Sequence, residues 1–175
     1  MQSSSIQNIF LVGLMGSGKT YWGQQLALQN NLHFIDTDQA IEAAVGLSVI
    51  EIFTTKGELF FREKETAVLQ QFIPQNKINI IATGGGTACF NQNMTWMNNN
   101  GITIWLNDSI ENIVERNKQN KQQRPLLKTI ADKDLHNFFI HQFEERKSFY
   151  NRSKYCLNTN EITLTNLKKI IHQYV

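Results

Sequence analysis

The sequence predicts an α/β protein whose parallel sheet is covered by helices on both faces, and three observations carry that prediction. Short apolar runs alternate with longer amphipathic stretches along the whole chain, which requires crossover connections between strands. Five of the short runs read as strands. Six of the ten glycines fall in two clusters, Gly13/Gly16/Gly18 and Gly84/Gly85/Gly86, each directly after one of those runs. Ligands of such sheets bind at the carboxyl ends of strands, where both clusters lie.

In order, Asn8 to Val12 reads as a strand, Lys19 to Asn30 as a helix and His33 to Asp36 as a second strand. Helical signals follow over Asp38 to Val45 and Ser48 to Lys56, then a longer helix from Gly57 to Phe72. Ile78 to Ala82 is the third strand, and its apolar content expects burial on both faces. After the second glycine cluster come a helix around Gln92 to Asn98, a strand at Ile102 to Leu106 and a helix to Asn117 with Ser109 as its cap. Gln119 to Lys128 is polar and basic without periodicity. Asp132 to Asn151 is helical, Tyr155 to Leu157 is a short strand, and Thr163 to Tyr174 closes the chain as a helix.

Composition narrows the function classes. The chain has 175 residues, 41% hydrophobic and 18% charged, which suits one domain with its own core. A formal charge of +2 is too weak for a nucleic-acid surface. No apolar run approaches the ~20 residues of a membrane span, and the first residues carry no basic leader, so a cytoplasmic protein is expected. Two cysteines, Cys89 and Cys156, make neither a disulfide framework nor a zinc site. A monomer is expected.

Gly13-Leu-Met-Gly-Ser-Gly-Lys19-Thr20 fits the phosphate-binding pattern G-x-x-x-x-G-K-[ST] in full, between a strand and a helix. Glycine lets backbone N–H groups wrap a phosphate, and the helix N-terminus adds positive potential. Lys19 supplies a charge to the β- and γ-phosphates, and Thr20 offers its hydroxyl to Mg²⁺. The switch and base-reading motifs of a GTPase are absent, and the strand ending at Ala82 closes without an acid. The acidic strand end is Asp36-Thr-Asp38. If the strand continues, both carboxylates point to one side, one beside a metal and one beside an acceptor; the alternative is that both cap the following helix. A small-molecule kinase using ATP and Mg²⁺ is the expectation.

The chain resembles the shikimate kinases, on Asp36-Thr-Asp38, Gly46-Leu-Ser-Val-Ile-Glu-Ile-Phe53, Gly57-Glu58, Phe61-Arg62-Glu63-Lys64-Glu65, Ala82-Thr-Gly84-Gly85-Gly86 and Arg124-Pro-Leu-Leu127. The matches keep the family's order from Ile9 to about Arg152. The resemblance implies a nucleoside-monophosphate-kinase-like three-layer α/β/α fold with a five-stranded parallel sheet, and phosphoryl transfer from ATP to the 3-hydroxyl of shikimate. It divides the single domain into a core (about 6–37, 75–116 and 153–175), a substrate-binding region (about 38–73) and a lid (about 117–130). It implies Lys19, Asp38 and Arg124 as catalytic residues, and Thr20 and Asp36 at the metal. Gly13, Gly16, Ser17, Gly18, Lys19, Thr20 and Tyr21 are implied at ATP, with Arg124 as the lid arginine and Arg116 against adenine.

For the substrate, the resemblance implies Arg62 and Arg146 on the carboxylate, with Glu65 orienting Arg62. It puts Asp38 on the hydroxyls, Gly84, Gly85 and Gly86 against the ring, and Val49, Phe53 and Phe61 as its walls. The residues also allow blander readings: Arg62 and Glu65, at i,i+3 on a helix, suit a surface ion pair, and Phe53 and Phe61 suit plain core. Glu161 stands where many relatives carry a basic residue, and Arg152 has no evident task. The rival functions are a gluconate-kinase-like enzyme, against which Gly46–Phe53, Phe61-Arg62 and the triple glycine count, and a non-catalytic nucleotide-binding protein, against which intact Lys19, Thr20, Asp36, Asp38 and Arg124 count.

Overall fold

The structure is a computed structural model that describes residues 8–73, 77–121 and 125–174. Its five strands, β1 (Asn8–Val12), β2 (His33–Asp36), β3 (Asn79–Ala82), β4 (Gly101–Asn107) and β5 (Tyr155–Asn158), form one sheet in the order β2-β3-β1-β4-β5. Every pairing is parallel. The carboxyl ends of β2, β3 and β1 therefore lie side by side, and the chain reverses its direction of growth at β1. That is the switch point at which doubly wound sheets open a crevice.

Nine helices lie between and around the strands among the described residues: α1 (Lys19–Asn30), α2 (Thr37–Val45), α3 (Val49–Thr55), α4 (Gly57–Leu69), α5 (Asn93–Asn100), α6 (Ile110–Gln119), α7 (Pro125–Lys128), α8 (Leu135–Tyr150) and α9 (Leu164–Ile171). Alternate strand residues bury to opposite faces, as a two-residue period demands. Ile9, Leu11, Ile80, Ile104 and Leu106 pack under α1 and α9 with Leu26, Leu167 and Ile171. Phe10, Val12, Ile81 and Trp105 pack on the other face with Met94, Ile113, Phe139 and Tyr150 from α5, α6 and α8. The three-layer architecture is thus the one expected. A separate apolar cluster of Ile41, Ile52, Phe61 and Val68 holds α2, α3 and α4 together beside the sheet.

Three local departures from the expected elements occur, and the first has a physical cause. The helix expected to run to Phe72 ends at Leu69, and the Phe72 carbonyl instead accepts from the side chain of buried Asn8, which brings the chain back to β1. The stretch expected to lack structure contains α7. The helix expected from Asp132 begins with a 3₁₀ turn, Asp132–Asp134, before α8. No helix among the described residues is long and apolar enough to cross a membrane.

Gly101, which lies outside both glycine clusters, is critical to the sheet. It pairs with Asn8, and a Cβ there would stand 2.3 Å from the Asn8 carbonyl oxygen and 2.6 Å from the Phe10 ring. A backbone oxygen in a central strand cannot move aside. Gly101→Ala is expected to cost at least about 2 kcal/mol, in the range of overpacked cores, as read by urea denaturation; an unchanged midpoint would contradict this.

Candidate active site

The phosphate-binding loop runs from β1 into α1. Gly16 and Gly18 take φ of 89° and 91°, the left-handed region open to glycine. A Cβ at Gly16 would meet the Asn117 side chain at 2.2 Å, so α6 fills the space that glycine leaves. Asn117 donates to the Met15 carbonyl at 3.1 Å. Arg116 donates to the Gly16 carbonyl at 2.8 Å and pairs with Asp108 at 2.6 Å. Despite partial burial, hydrogen bonds from Asn112, Arg116 and Ser109 hold the Asp108 carboxyl below its usual range. Arg116 thus braces the loop from outside. Asn117 was invisible as a partner of the loop in the sequence because it lies about a hundred residues further on.

Lys19 is nearly buried and donates to the carbonyls of Gly13 and Leu14, both at 2.8 Å. Thr20 donates to Asp36 Oδ2 at 2.9 Å. Tyr21 is exposed and sets its ring edge-on to Trp22. The Ser17 hydroxyl is buried without a hydrogen-bond partner among the described residues.

At the acidic strand end the sequence left two readings open, a strand continued through Asp38 or a helix capped there, and the structure follows the second for Asp36. β2 stops at Asp36, and Asp36 caps α2 by accepting from the backbone N–H groups of Asp38 and Gln39. Asp38 is therefore in the first helical turn. Thr37, between them, is buried and accepts from the Gly84 N–H at 3.0 Å, tying this turn to the second glycine cluster. Asp38 Oδ1 is buried without a hydrogen-bond partner among the described residues. Burial first, then repulsion from Asp36 and Glu65, pushes the Asp38 carboxyl up to about 6, against the opposing pull of Lys19.

The Gly84–Gly86 turn is where the remaining residues meet. A Cβ at Gly84 would lie 2.9 Å from Glu65 Oε1 and 3.1 Å from Asp38 Oδ1. At Gly85 it would lie 3.1 Å from the Met15 nitrogen and 3.4 Å from Arg146 Nη1. At Gly86 it would lie 2.8 to 3.0 Å from Nη2, Nη1 and Cζ of Arg62. The glycines were expected to make room for a ligand. The structure adds that they make room for the protein's own carboxylates and guanidinium groups.

Arg62 and Glu65 are not a surface pair. Arg62 Nη1 meets Glu65 Oε2 at 2.9 Å with the Glu65 side chain 0% exposed, and Thr87 donates to the other Glu65 oxygen at 2.5 Å. Glu58, on the solvent side, accepts from Arg62 Nε and Nη2 at 3.2 and 3.1 Å. A guanidinium has five N–H donors, so two of them are left on Arg62. Arg146 is half-buried on α8, hydrogen-bonded with Tyr150, and makes no ion pair with a carboxylate among the described residues. Tyr150 is fully buried and donates to the Gly85 carbonyl, and its burial pushes its own hydroxyl well up.

The two aromatic residues are in ring contact at 4.6 Å. Phe61 is 3% exposed and belongs to the α2–α4 core, whereas Phe53 and Val49 are half-buried on it. Burial pushes the Cys89 thiol up to about 11 despite Arg146 and Arg62 nearby, so it stays protonated at neutral pH. Arg152, without a task in the sequence, donates to Thr95 at 2.5 Å and joins the end of α8 to α5. Glu161 accepts from the backbone and side chain of Asn158 and caps the turn after β5. Arg124 lies outside the described residues.

The comparisons with known proteins agree with this architecture. The family model described as shikimate kinase matches residues 15–175. A shikimate kinase of Flavobacterium psychrophilum is 37% identical over 169 residues, covering 96% of this chain and 98% of the relative. Among solved structures, shikimate kinase from Bacteroides thetaiotaomicron superposes with a TM-score of 0.88 at 36% identity, covering 95% of this chain and 98% of that one. Shikimate kinase from Acinetobacter baumannii in complex with shikimate gives 0.83 at 31% identity, with coverage of 97% and 93%. With a family model over most of its length and relatives of matching length at this level of identity, the chain belongs to the shikimate kinase family.

Proposed function

We propose that this chain transfers the γ-phosphoryl group of ATP to the 3-hydroxyl of shikimate, releasing shikimate 3-phosphate and ADP. One observation carries the reading beyond family membership. Asp38, Glu65, Arg62 and Arg146 all approach the Gly84–Gly86 turn, and Gly85 also approaches the phosphate-binding loop at Met15. An acceptor seated there has guanidinium groups for a carboxylate, a carboxylate for a hydroxyl, and the phosphate cradle as its neighbour.

On this reading the backbone of Gly13, Gly16, Ser17, Gly18 and Tyr21 cradles the phosphates. Lys19 exchanges its two carbonyl acceptors for phosphate oxygens, turning neutral acceptors into charged ones. Arg116, from its seat on the loop, serves the adenine side, and Arg124 closes from the 117–130 lid to exclude water. Arg146 and the two remaining donors of Arg62 grip the shikimate carboxylate. Phe53 and Val49 flank the ring over Phe61. Asp38 Oδ1 accepts the reacting hydroxyl and aligns it; a loose phosphoryl-transfer transition state asks mainly for alignment and charge neutralisation. The segment 38–73 acts as the substrate-binding region. The protein works as a cytoplasmic monomer.

Thr20 Oγ1 and Asp36 Oδ2 are hard oxygen donors 2.9 Å apart at the end of the phosphate-binding loop; this set fits Mg²⁺, which takes few protein ligands and keeps waters and phosphate oxygens. Thr20 would hold the ion directly and Asp36 through water. When bound, Mg²⁺ neutralises phosphate charge.

The deciding experiment is ADP release with ATP and Mg²⁺, comparing shikimate, quinate, gluconate and AMP as acceptors. Shikimate is expected to give the highest kcat/KM by at least tenfold. Release driven by gluconate alone would move the chain to the rival kinase reading, and no acceptor-dependent release would leave a nucleotide-binding protein.

A further inference from the structure

Phe90 is a large apolar side chain, 37% exposed, at the surface of the protein. Its ring centroid lies 4.2 Å from the Arg62 Cζ, closer than the 5.2 Å to Phe61. The residues after it are held in an unusual backbone. Asn91 and Gln92 have φ of 49° and 57°, consecutive left-handed residues without glycine, a conformation that costs energy unless the surroundings impose it. The Asn91 side chain supplies that constraint by donating to the Arg62 carbonyl at 3.2 Å and to Thr66 Oγ1 at 3.0 Å. The strained turn is thus fastened to α4 at the residue whose guanidinium Phe90 covers.

Arg62 has its edges fixed by Glu58 and Glu65, and the near-equal distances from the Gly86 Cβ position to Nη1, Nη2 and Cζ mean that it lies flat against that glycine. Edge contacts alone leave a guanidinium free to tilt about them. A ring whose centroid lies 4.2 Å from Cζ limits that freedom, because the negative face of the aromatic attracts a partly desolvated cation. We propose that Phe90 is a positioning residue: it fixes the plane of Arg62 so that the two remaining N–H donors meet the substrate carboxylate together. The proposal rests on the reading of Arg62 as a carboxylate ligand. It makes the segment 90–92, outside the helices that carry the charged residues, a determinant of affinity for acid substrates.

The test is the kinetics of Phe90→Leu and Phe90→Tyr beside Arg62→Ala, with shikimate and with its methyl ester as acceptors. Phe90→Leu keeps apolar volume at a surface position and is expected to fold. Its KM for shikimate should rise about three- to tenfold, with KM for ATP and kcat within twofold of wild type. Phe90→Tyr, which retains a π face, should restore KM. The effect should be absent with the ester and absent when Phe90→Leu is added to Arg62→Ala. A merely structural role would lower the melting temperature without this split between acceptors. If Arg62→Ala raises KM for shikimate but Phe90→Leu does not, the Phe90 proposal falls and the carboxylate reading stands. If Arg62→Ala leaves KM unchanged, both fall.

Discussion

Asp38→Asn is expected to lower kcat by at least about a hundredfold while making the protein more stable. The turnover loss follows from the position of Oδ1, which is buried, unpartnered and next to Gly84 and Lys19; removing a group that takes or orients a proton costs roughly 10²–10⁴. The stability gain follows from the same burial. Because the folded state raises this carboxyl to about 6, it binds the proton more tightly than the unfolded chain does. Stability therefore falls as the pH rises from about 4 to about 6, and the deficit is complete above that window. An amide carries no such charge and should recover about 1–3 kcal/mol at pH 7.5, since each tenfold change in proton affinity is worth about 1.4 kcal/mol. The recovery should shrink at pH 5. Denaturation at both values checks the sign, and the pH profile of kcat/KM for shikimate should show an acid limb near 6. A variant that retains a tenth of wild-type turnover would remove Asp38 from the reacting end.

Glu65→Ala should be the most damaging substitution to stability among the charged residues of the site. Glu65 is fully buried, and its two oxygens are spent on Arg62 and Thr87. Breaking one side of a buried ion pair typically costs 3–5 kcal/mol because the other charge is left without compensation. Glu58 cannot replace it, since it approaches Arg62 from solvent with its side chain 58% exposed. Glu65→Gln keeps an acceptor for Thr87 and should cost about 1–3 kcal/mol, which isolates the charge. In the Gln variant the KM for shikimate should rise at least fivefold with KM for ATP unchanged. A wild-type denaturation midpoint in both variants would mean that the pair is no more than a surface contact.

These expectations also mark where the sequence is legible. β1, α1 and β2 lie where their patterns put them, because each is a local run bounded by glycine, asparagine or aspartate. The phosphate loop was legible for the same reason: its chemistry is written in eight consecutive residues. Asp38 was harder. Its face depends on where β2 yields to α2, and Asp36 capping the helix settles that in favour of the earlier start. The resemblance pointed to Arg62 and Glu65 as site residues, but their burial was not legible from spacing, since an i,i+3 pair looks the same in sequence whether the Gly84–Gly86 turn lies over it or water does. Phe90 gave no signal, because nothing near it in sequence names a guanidinium as its partner. Thr87, Tyr150 and Asn117 belong to the same class.

The bracing of the phosphate loop has a consequence for the order in which this protein is made. The motif is complete once Thr20 is synthesised, yet Gly16 is held by Arg116 and the carbonyl of Met15 by Asn117, contacts that span 100 and 102 residues. Closing such long separations is slow, and a nascent chain shorter than about 117 residues carries the nucleotide signature without the shape that uses it. Recognition of ATP should therefore be among the last properties the growing chain acquires, although the residues that encode it are among the first to leave the ribosome.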